Sequence, residues 1–394
     1  FAGLLRYCQV NLLRQACGLP LSFEPERIFL MRRLTILALC LSSLAASAQT
    51  SANKTHNILF VMTDGMRWQE MFHGADPTLL TPERNWHGRS VDGLKKQFLV
   101  GTPEENRTAL MPFVWGTIAR QGQIYGDRDE GSQMYVTNGL NFSYPGYNET
   151  LTGYPNAAIH SNDPIPNPHA TVLEWLNNKP AFHGQVAAFA AWDVFTGIFN
   201  AGRCGFPVNV SYDPLTIIPM TPQLKLINEW KAESPKVWDD ESFDAPTFYT
   251  AVEYIKAKKP RVLFLSLGET DDWAHANEYG EYLLAAHRAD DYLRRLWDML
   301  QSMPEYKDNT TLVFLTDHGR GSGPKDWTDH GQKIPDSKNM WAMFLGPDTP
   351  ALGIRKHIPD VTQGQIAATV AQFLGENYDA SVPEAAKPIA AAEK

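Results

Sequence analysis

The sequence predicts an α/β fold, a three-layer α/β/α sandwich with a mostly parallel central sheet and loop-rich cap insertions. Two observations carry this. Short runs rich in β-branched, aromatic and other apolar residues recur at Asn57–Met62, Gln185–Ala191, Arg261–Leu267 and Thr311–Leu315. They lack polar alternation, so they read as strands covered on both faces, as in a parallel sheet. Stretches of helical spacing lie between and after them, among them Thr171–Asn177, Pro246–Lys258, the long Tyr282–Ser302 and Gln363–Leu374.

Three of these strands run into residues that carry chemistry. Thr311–Leu315 leads into Thr316-Asp317-His318-Gly319-Arg320-Gly321. In open α/β sheets ligands sit beyond the carboxyl ends of the strands, where this pair falls. Asp317 and His318 can bind one metal ion if the turn splays them to the same side; the plainer alternative is a capping Asp and a surface His. Asn57–Met62 leads into Thr63-Asp64-Gly65, with Asp64 either a ligand or the cap of the segment Met66–Phe72. Arg67 and Trp68, next in line, read first as packing or ion-pair residues. Arg261–Leu267 leads into a loop with Asp271 and His275, whose spacing lets both meet one ion across a helical turn. The loop Lys325–Gly331 returns a third histidine, His330, to the same region. His287, inside the long helix, reads as a packing residue.

The remaining segments are less specific. Residues 73–110 read as a loop-rich excursion and 192–245 as an irregular cap, the two places where substrate choice is shaped. Their aromatics Trp86, Trp192, Phe195 and Phe199 offer stacking surfaces, with core packing as the competing fate. Met111–Gln121 has helical spacing. Gln123–Gly126 and Gln133–Thr137 look like two strands joined by a charged turn. Ser143-Tyr144-Pro145 suits a helix start: Ser143 either caps it or offers its hydroxyl at the positive helix end, where phosphate is stabilised and a metal ion can make the hydroxyl nucleophilic. Asn162 reads as an Asx-turn residue or as a donor to a substrate oxygen.

Composition limits the function. A net charge of −9 argues against duplex nucleic-acid binding and leaves room for a small anionic substrate. Met31-Arg32-Arg33, the apolar Leu34–Ala45 and Ala46-Ser47-Ala48 form a signal-peptide pattern with cleavage before Gln49. The apolar run is too short to span a bilayer. Residues 1–30 read as an upstream extension outside the fold, and 49–380 as one domain with no repeat or linker inside it. The Ala-, Pro- and Lys-rich stretch from Ser381 reads as a fraying tail. Of the 4 cysteines only Cys204 follows the cleavage point, so no internal disulfide is expected. Together these describe a bacterial periplasmic or secreted protein whose oligomeric state is open.

Asp64, Asp271, His275, Asp317, His318 and His330 are N/O ligands without thiolate, a set that suits zinc ahead of manganese or magnesium. They exceed one tetrahedral site and would serve two metals sharing a substrate. In this order and context the motifs resemble the alkaline phosphatase superfamily, and within it the type I phosphodiesterase/nucleotide pyrophosphatase branch, over roughly residues 55–375. The resemblance implies that Asp64, Ser143, Asp317 and His318 hold one metal and Asp271, His275 and His330 the other. It implies Ser143 as nucleophile, with a phosphoseryl intermediate, because Ser143-Tyr-Pro followed by Thr152-Gly153 matches the branch's Thr-Phe-Pro-Asn and Thr-Gly. Ser stands here for Thr and Gly146 for Asn, which keeps Thr137 as an alternative nucleophile. Asn162 matches the branch's phosphate-contacting Asn approximately. Sulfatases carry Arg where this chain has Tyr147. Membrane-anchored phosphotransferases and a non-catalytic binding protein are the further alternatives to a phosphate-ester hydrolase.

Overall fold

The structure is a computed structural model that describes residues 53–390 and Ala392. The strands within it are, in chain order, β1 (Asn57–Thr63), β2 (Gln123–Tyr125), β3 (Met134–Tyr135), β4 (Val186–Ala190), β5 (Val208–Val210), β6 (Val262–Leu267), β7 (Thr310–Thr316), β8 (Ala342–Leu345), β9 (Gly353–Ile354) and β10 (Val361–Thr362). Every residue of β1, β4, β6 and β7 is buried, which explains the unbroken apolar runs. Successive side chains of a strand point to opposite faces, and both faces are covered. Leu59 and Val61 of β1 pack with Leu263, Leu265, Leu312 and Phe314 under helices Asp244–Lys258 and Tyr279–Ser302. Ile58, Phe60 and Met62 pack with Val262, Phe264, Val313 and Leu315 under helices Ser143–Thr152, Val172–Asn177 and Gln365–Phe373. These are the three predicted layers. Burying each such side chain contributes about 1.5–3 kcal/mol, the main energy that offsets the polar edge described below.

The eight-stranded sheet has the order β5-β4-β6-β1-β7-β8-β2-β9. β5, β4, β6, β1 and β7 are mutually parallel, and only β8 runs against its neighbours. Register matters most at the centre. Thr63 is paired with Leu267 of β6 and with Thr316 of β7, so the three central strands end flush. The next residue of each, Asp64, Gly268 and Asp317, therefore emerges at one height.

Several segments differ from expectation. The excursion 73–110 contains two helices, Val91–Phe98 and Pro103–Leu110. Thr102 and Glu105 form a reciprocal capping box at the second, a Thr-x-x-Glu signal readable in the sequence. β2 and β3 do not form a hairpin: β2 joins the main sheet, while β3 pairs with β10 in a separate two-stranded one. Between 192 and 245 the chain adds edge strand β5 and the helix Pro222–Glu233, so part of the expected cap is sheet. The described part of the stretch from Ser381 packs against the domain. Ile389 and Ala392 are buried, and Ala386 N–H donates to Gly153 O while Ile389 N–H donates to Thr369 Oγ1. The tail supplies small apolar side chains that fill the surface beside helix Gln365–Phe373, a tertiary fit that composition does not reveal. His287 packs, with Nδ1 2.7 Å from Leu110 O. The extension 1–30 and the signal peptide 31–48 lie outside the described residues. No helix among the described residues is long and apolar enough to cross a membrane.

Asp290, buried in the long helix, accepts hydrogen bonds from Phe113 N–H and Val114 N–H, both 2.8 Å. Burial pushes its carboxyl up to about 7 despite those donors. The folded value thus exceeds the unfolded one of about 3.9, so the folded chain binds the extra proton between pH 4 and 7. Stability from this group is full at low pH and is lost as pH rises through 7. Between pH 5 and 8 wild type should lose about 2 kcal/mol more than Asp290→Asn, read by denaturant unfolding of both at each pH.

Candidate active site

The site grows from the flush strand ends. Asp64 follows β1 with its N–H bonded to Leu267 O at 2.9 Å. Gly65 turns the chain at φ +57°, and its N–H donates to Asp317 Oδ1 at 2.9 Å. Asp317 Oδ1 also accepts from His318 N–H. That leaves Asp317 Oδ2 buried with no hydrogen-bond partner among the described residues, an arrangement that costs several kcal/mol unless a cation is near; the nearest cationic group is the His318 imidazole, with Nε2 3.4 Å away. His318 turns Nδ1 to Gly319 O at 2.9 Å, which places Nε2 toward the carboxylates.

Ser143 opens the helix Ser143–Thr152 as its first residue, with Phe142 rather than Ser143 in the capping position. The N-terminal turn is capped from a distance: Asn162 Oδ1 accepts from Tyr144 N–H at 3.0 Å. Asn162 is exposed, and its Nδ2 has no protein partner among the described residues. The helix can come this close because position 146 is glycine; a Cβ there would lie 2.8 Å from Asp317 O. The departure from the family's Asn is thus a packing requirement. Thr137 is not in the site, since its hydroxyl donates to Glu149 Oε1 at 2.6 Å.

Ser143 Oγ lies 3.4 Å from Asp64 Oδ1 and 3.4 Å from His318 Nε2. His318 Nε2 is 3.3 Å from Asp64 Oδ1 and 3.4 Å from Asp317 Oδ2. Beside this group, the helix Glu269–His275 brings Asp271 Oδ2 to 3.0 Å from His275 Nε2. His330 Nε2 is 3.0 Å from His275 Nε2 and 3.6 Å from Asp271 Oδ1. The His318 and His330 rings approach to 4.2 Å between centroids, so the two groups share a wall. All the residues singled out in the sequence for metal ligation are therefore brought together.

The electrostatics follow from this crowding. Burial and the nearby Asp271 raise the Asp64 carboxyl. Burial and Asp64 raise that of Asp317. Burial works against a charged His318, but Asp317 and Asp64 outweigh it and push it up to about 9. His330 goes the other way, held down to about 2 by burial and the facing His318. Burial also opposes ionisation of Asp271, yet Arg320, His275 and His330 hold it well below the usual carboxylate range.

Sequence reasoning gave Arg320 no role and left Arg67 between packing and binding. Arg67 is fully buried in a pair with Glu70, which also accepts from Tyr279 and Tyr282 hydroxyls, and it donates to Gly321 O at 3.1 Å. It is a structural tie between the β1 turn and the β7 turn. Trp68 packs partly buried against the core. Of the aromatics, Phe195 and Phe199 are core residues, Trp192 donates its indole N–H to Asp240 Oδ2, and Trp86 is 65% exposed.

A mostly parallel sheet with carboxylates and histidines converging at its carboxyl edge, beside a serine at a helix start, defines a phosphoester hydrolase of the alkaline phosphatase superfamily. The chain belongs to the type I phosphodiesterase/nucleotide pyrophosphatase family, whose model matches residues 76–391. Asp64 precedes that span. No curated protein matches the sequence. Among solved structures the fold is similar to that of the wild-type alkaline phosphatase PafA, with TM-score 0.58 and 10% identity, covering 88% of this chain and 100% of that one. It is also similar to the lipoteichoic acid synthase LtaP from Listeria monocytogenes, with TM-score 0.53 and 13% identity over 83% and 73% of the two chains. A third is the C-terminal periplasmic domain of EcEptC from Escherichia coli in complex with Zn, with TM-score 0.50 and 10% identity over 85% and 86%.

Gly65 is a tight point of the site. A Cβ there would collide with Asp271 Oδ1 and lie 2.7 Å from Arg320 Nη1. Gly65→Ala should cost at least about 1–2 kcal/mol from the left-handed backbone alone, measured by denaturant unfolding in chelator.

Proposed function

We propose that the chain is an exported two-metal hydrolase of phosphate esters, diester or monoester, acting through a phosphoseryl intermediate on Ser143. Donor spacing carries the reading. A tetrahedral ion with donor bonds of about 2.0–2.2 Å has donor–donor edges of about 3.3–3.5 Å. The separations among Asp64 Oδ1, Ser143 Oγ, Asp317 Oδ2 and His318 Nε2 that were given above run from 3.3 to 3.4 Å. The orphaned Asp317 Oδ2 is the donor such an ion would satisfy. Asp271, His275 and His330 would hold a second ion, and N/O donors without thiolate favour zinc over manganese or magnesium. Bound there, the two ions would lower the pKa of the serine hydroxyl and neutralise charge on the leaving oxygen.

The chain's own residues supply positioning. Ser143 sits on the first turn of a ten-residue helix, whose positive end favours a phosphate group. Asn162 Nδ2 is the donor assigned to a phosphate oxygen, with its Oδ1 fixed on Tyr144 N–H. Ser143 Oγ attacks phosphorus as the bond to the leaving alcohol breaks, and that alcohol departs with a proton. Water then breaks the phosphoseryl bond, restoring the hydroxyl and releasing phosphate or a phosphomonoester. Glu149, bonded to Thr137, and Tyr147, whose hydroxyl is 3.0 Å from Ser266 Oγ, take no part in this. A phenol at position 147 in place of a sulfatase's Arg weighs against sulfate esters. A phosphotransferase would differ in the acceptor that replaces water. Export rests on the Met31–Ala48 pattern, and residues 49–380 are assigned to one catalytic domain.

The test is turnover of the zinc-loaded mature protein on a monoester and a diester sharing one aryl leaving group. Ser143→Ala and His330→Ala should each lower the rate on the order of 10³-fold or more, and chelation should abolish it until zinc is restored. A diester preference points to the phosphodiesterase branch, and a monoester preference to a phosphatase with Asn162→Ala raising KM. No turnover on either ester at full metal loading would overturn the hydrolase reading.

A further inference from the structure

Arg320 is a buried cation to which the reaction assigns nothing. Only 1% of its surface is exposed, and its guanidinium bonds in three directions. Nε donates to Trp327 O at 3.0 Å, Nη2 donates to Thr328 O, and Nη1 pairs with Asp271 Oδ1. Arg320 and its partners together join three parts of the candidate metal centre. Arg320 itself lies just past Asp317 and His318, Trp327 and Thr328 just before His330, and Asp271 on the helix that carries His275. The backbone of Gly65, beside Asp64, forms the floor beneath the pair, since a Cβ there would meet both partners.

The two oxygens of Asp271 therefore face different groups. Oδ1 is held by Arg320 and lies 3.6 Å from His330 Nε2, while Oδ2 lies 3.0 Å from His275 Nε2, which in turn lies 3.0 Å from His330 Nε2. A carboxylate left to swing about its last torsion could offer an ion either oxygen or both. Pinned at Oδ1 by Nη1 of a guanidinium whose Nε and Nη2 are fixed on Trp327 O and Thr328 O, it is left with Oδ2 free, on the side of His275. Arginine is suited to this because its charge is permanent and its donors are fixed in one plane; a lysine ammonium would give charge without the fork. We propose that Arg320 is a positioning residue of the second metal site, locking Asp271 so that Oδ2, His275 Nε2 and His330 Nε2 converge on one ion. The inference rests on the two-metal reading and concerns the affinity of one of its two sites.

The experiment measures zinc uptake by the metal-free full chain, by competition with a chromophoric chelator, with no assay of activity. Wild type should take up two equivalents. Asp271→Asn identifies the class of site that depends on Asp271. In Arg320→Met that class should weaken about 10–100-fold, as for other residues that orient ligands, while the other class keeps wild-type affinity. Arg320→Lys should fall between the two. Circular dichroism and thermal unfolding of each metal-free variant separate a misplaced ligand from a lost fold. Unchanged or tighter binding by the Asp271 class in folded Arg320→Met would overturn the inference, because the cation would then be neutral toward the ion or compete with it. Should Arg320→Met fail to fold, Arg320→Lys decides, and wild-type affinity there overturns it equally. Fewer than two equivalents in wild type would instead remove the two-metal reading, and this inference with it.

Discussion

The structure depends on holding like charges together at one edge of a sheet. Asp64 and Asp317 leave adjacent parallel strands at the same height, and Asp271 is brought over them by the turn after β6. Two unit charges 4 Å apart repel by about 4 kcal/mol at the effective dielectric of a protein. His318 and Arg320 offset part of this, but Asp317 Oδ2 is left without a hydrogen bond among the described residues. The remainder is borne by the two apolar layers that clamp β1, β6 and β7 from both sides. A rigid, deeply buried sheet is what makes such an edge tolerable, and a divalent ion at that edge would turn its largest cost into its strongest bond.

Close approach is the second requirement, met by two glycines with different tasks. Gly65 adopts the left-handed conformation that turns Asp64 away from the strand axis and leaves room for the Asp271–Arg320 pair. Gly146 is helical and ordinary in conformation; its lack of a side chain lets the helix of Ser143 rest on the backbone of Asp317. Without the first the carboxylates do not converge, and without the second the hydroxyl stays out of their reach.

Much of this was legible in the sequence because burial writes itself into composition. β1, β6 and β7 are apolar along their centres since both faces are covered, and the Asp and His residues stand at or just beyond the point where each run stops. The strand-end rule then places Asp64, Asp317 and His318 together without any coordinates. Asp271 and His275 were legible for a different reason, their separation by one helical turn. What escaped notice depended on partners far away in the chain. Arg320 looks like any charged loop residue until Asp271, Trp327 and Thr328 surround it. Asn162 serves a helix end 18 residues earlier. β2 and β3 have strand composition, but nothing local says that they enter different sheets. The packing of the C-terminal stretch was not legible, because alanine and proline are as suited to lining a helix surface as to a loose end.

That stretch reaches the helix of Ser143 from behind. Gly153, at φ +87°, terminates Ser143–Thr152, and its carbonyl accepts from Ala386 N–H. A Cβ at Gly153 would lie 2.8 Å from the side chain of Ala385, so chain and helix end fit against each other directly. The far end of the helix Ser143–Thr152 is thus latched by the stretch around Ala385 and Ala386. A bulky affinity tag joined there would pull on the latch, and trimming the chain before Ala385 would leave the helix that presents Ser143 anchored at one end only.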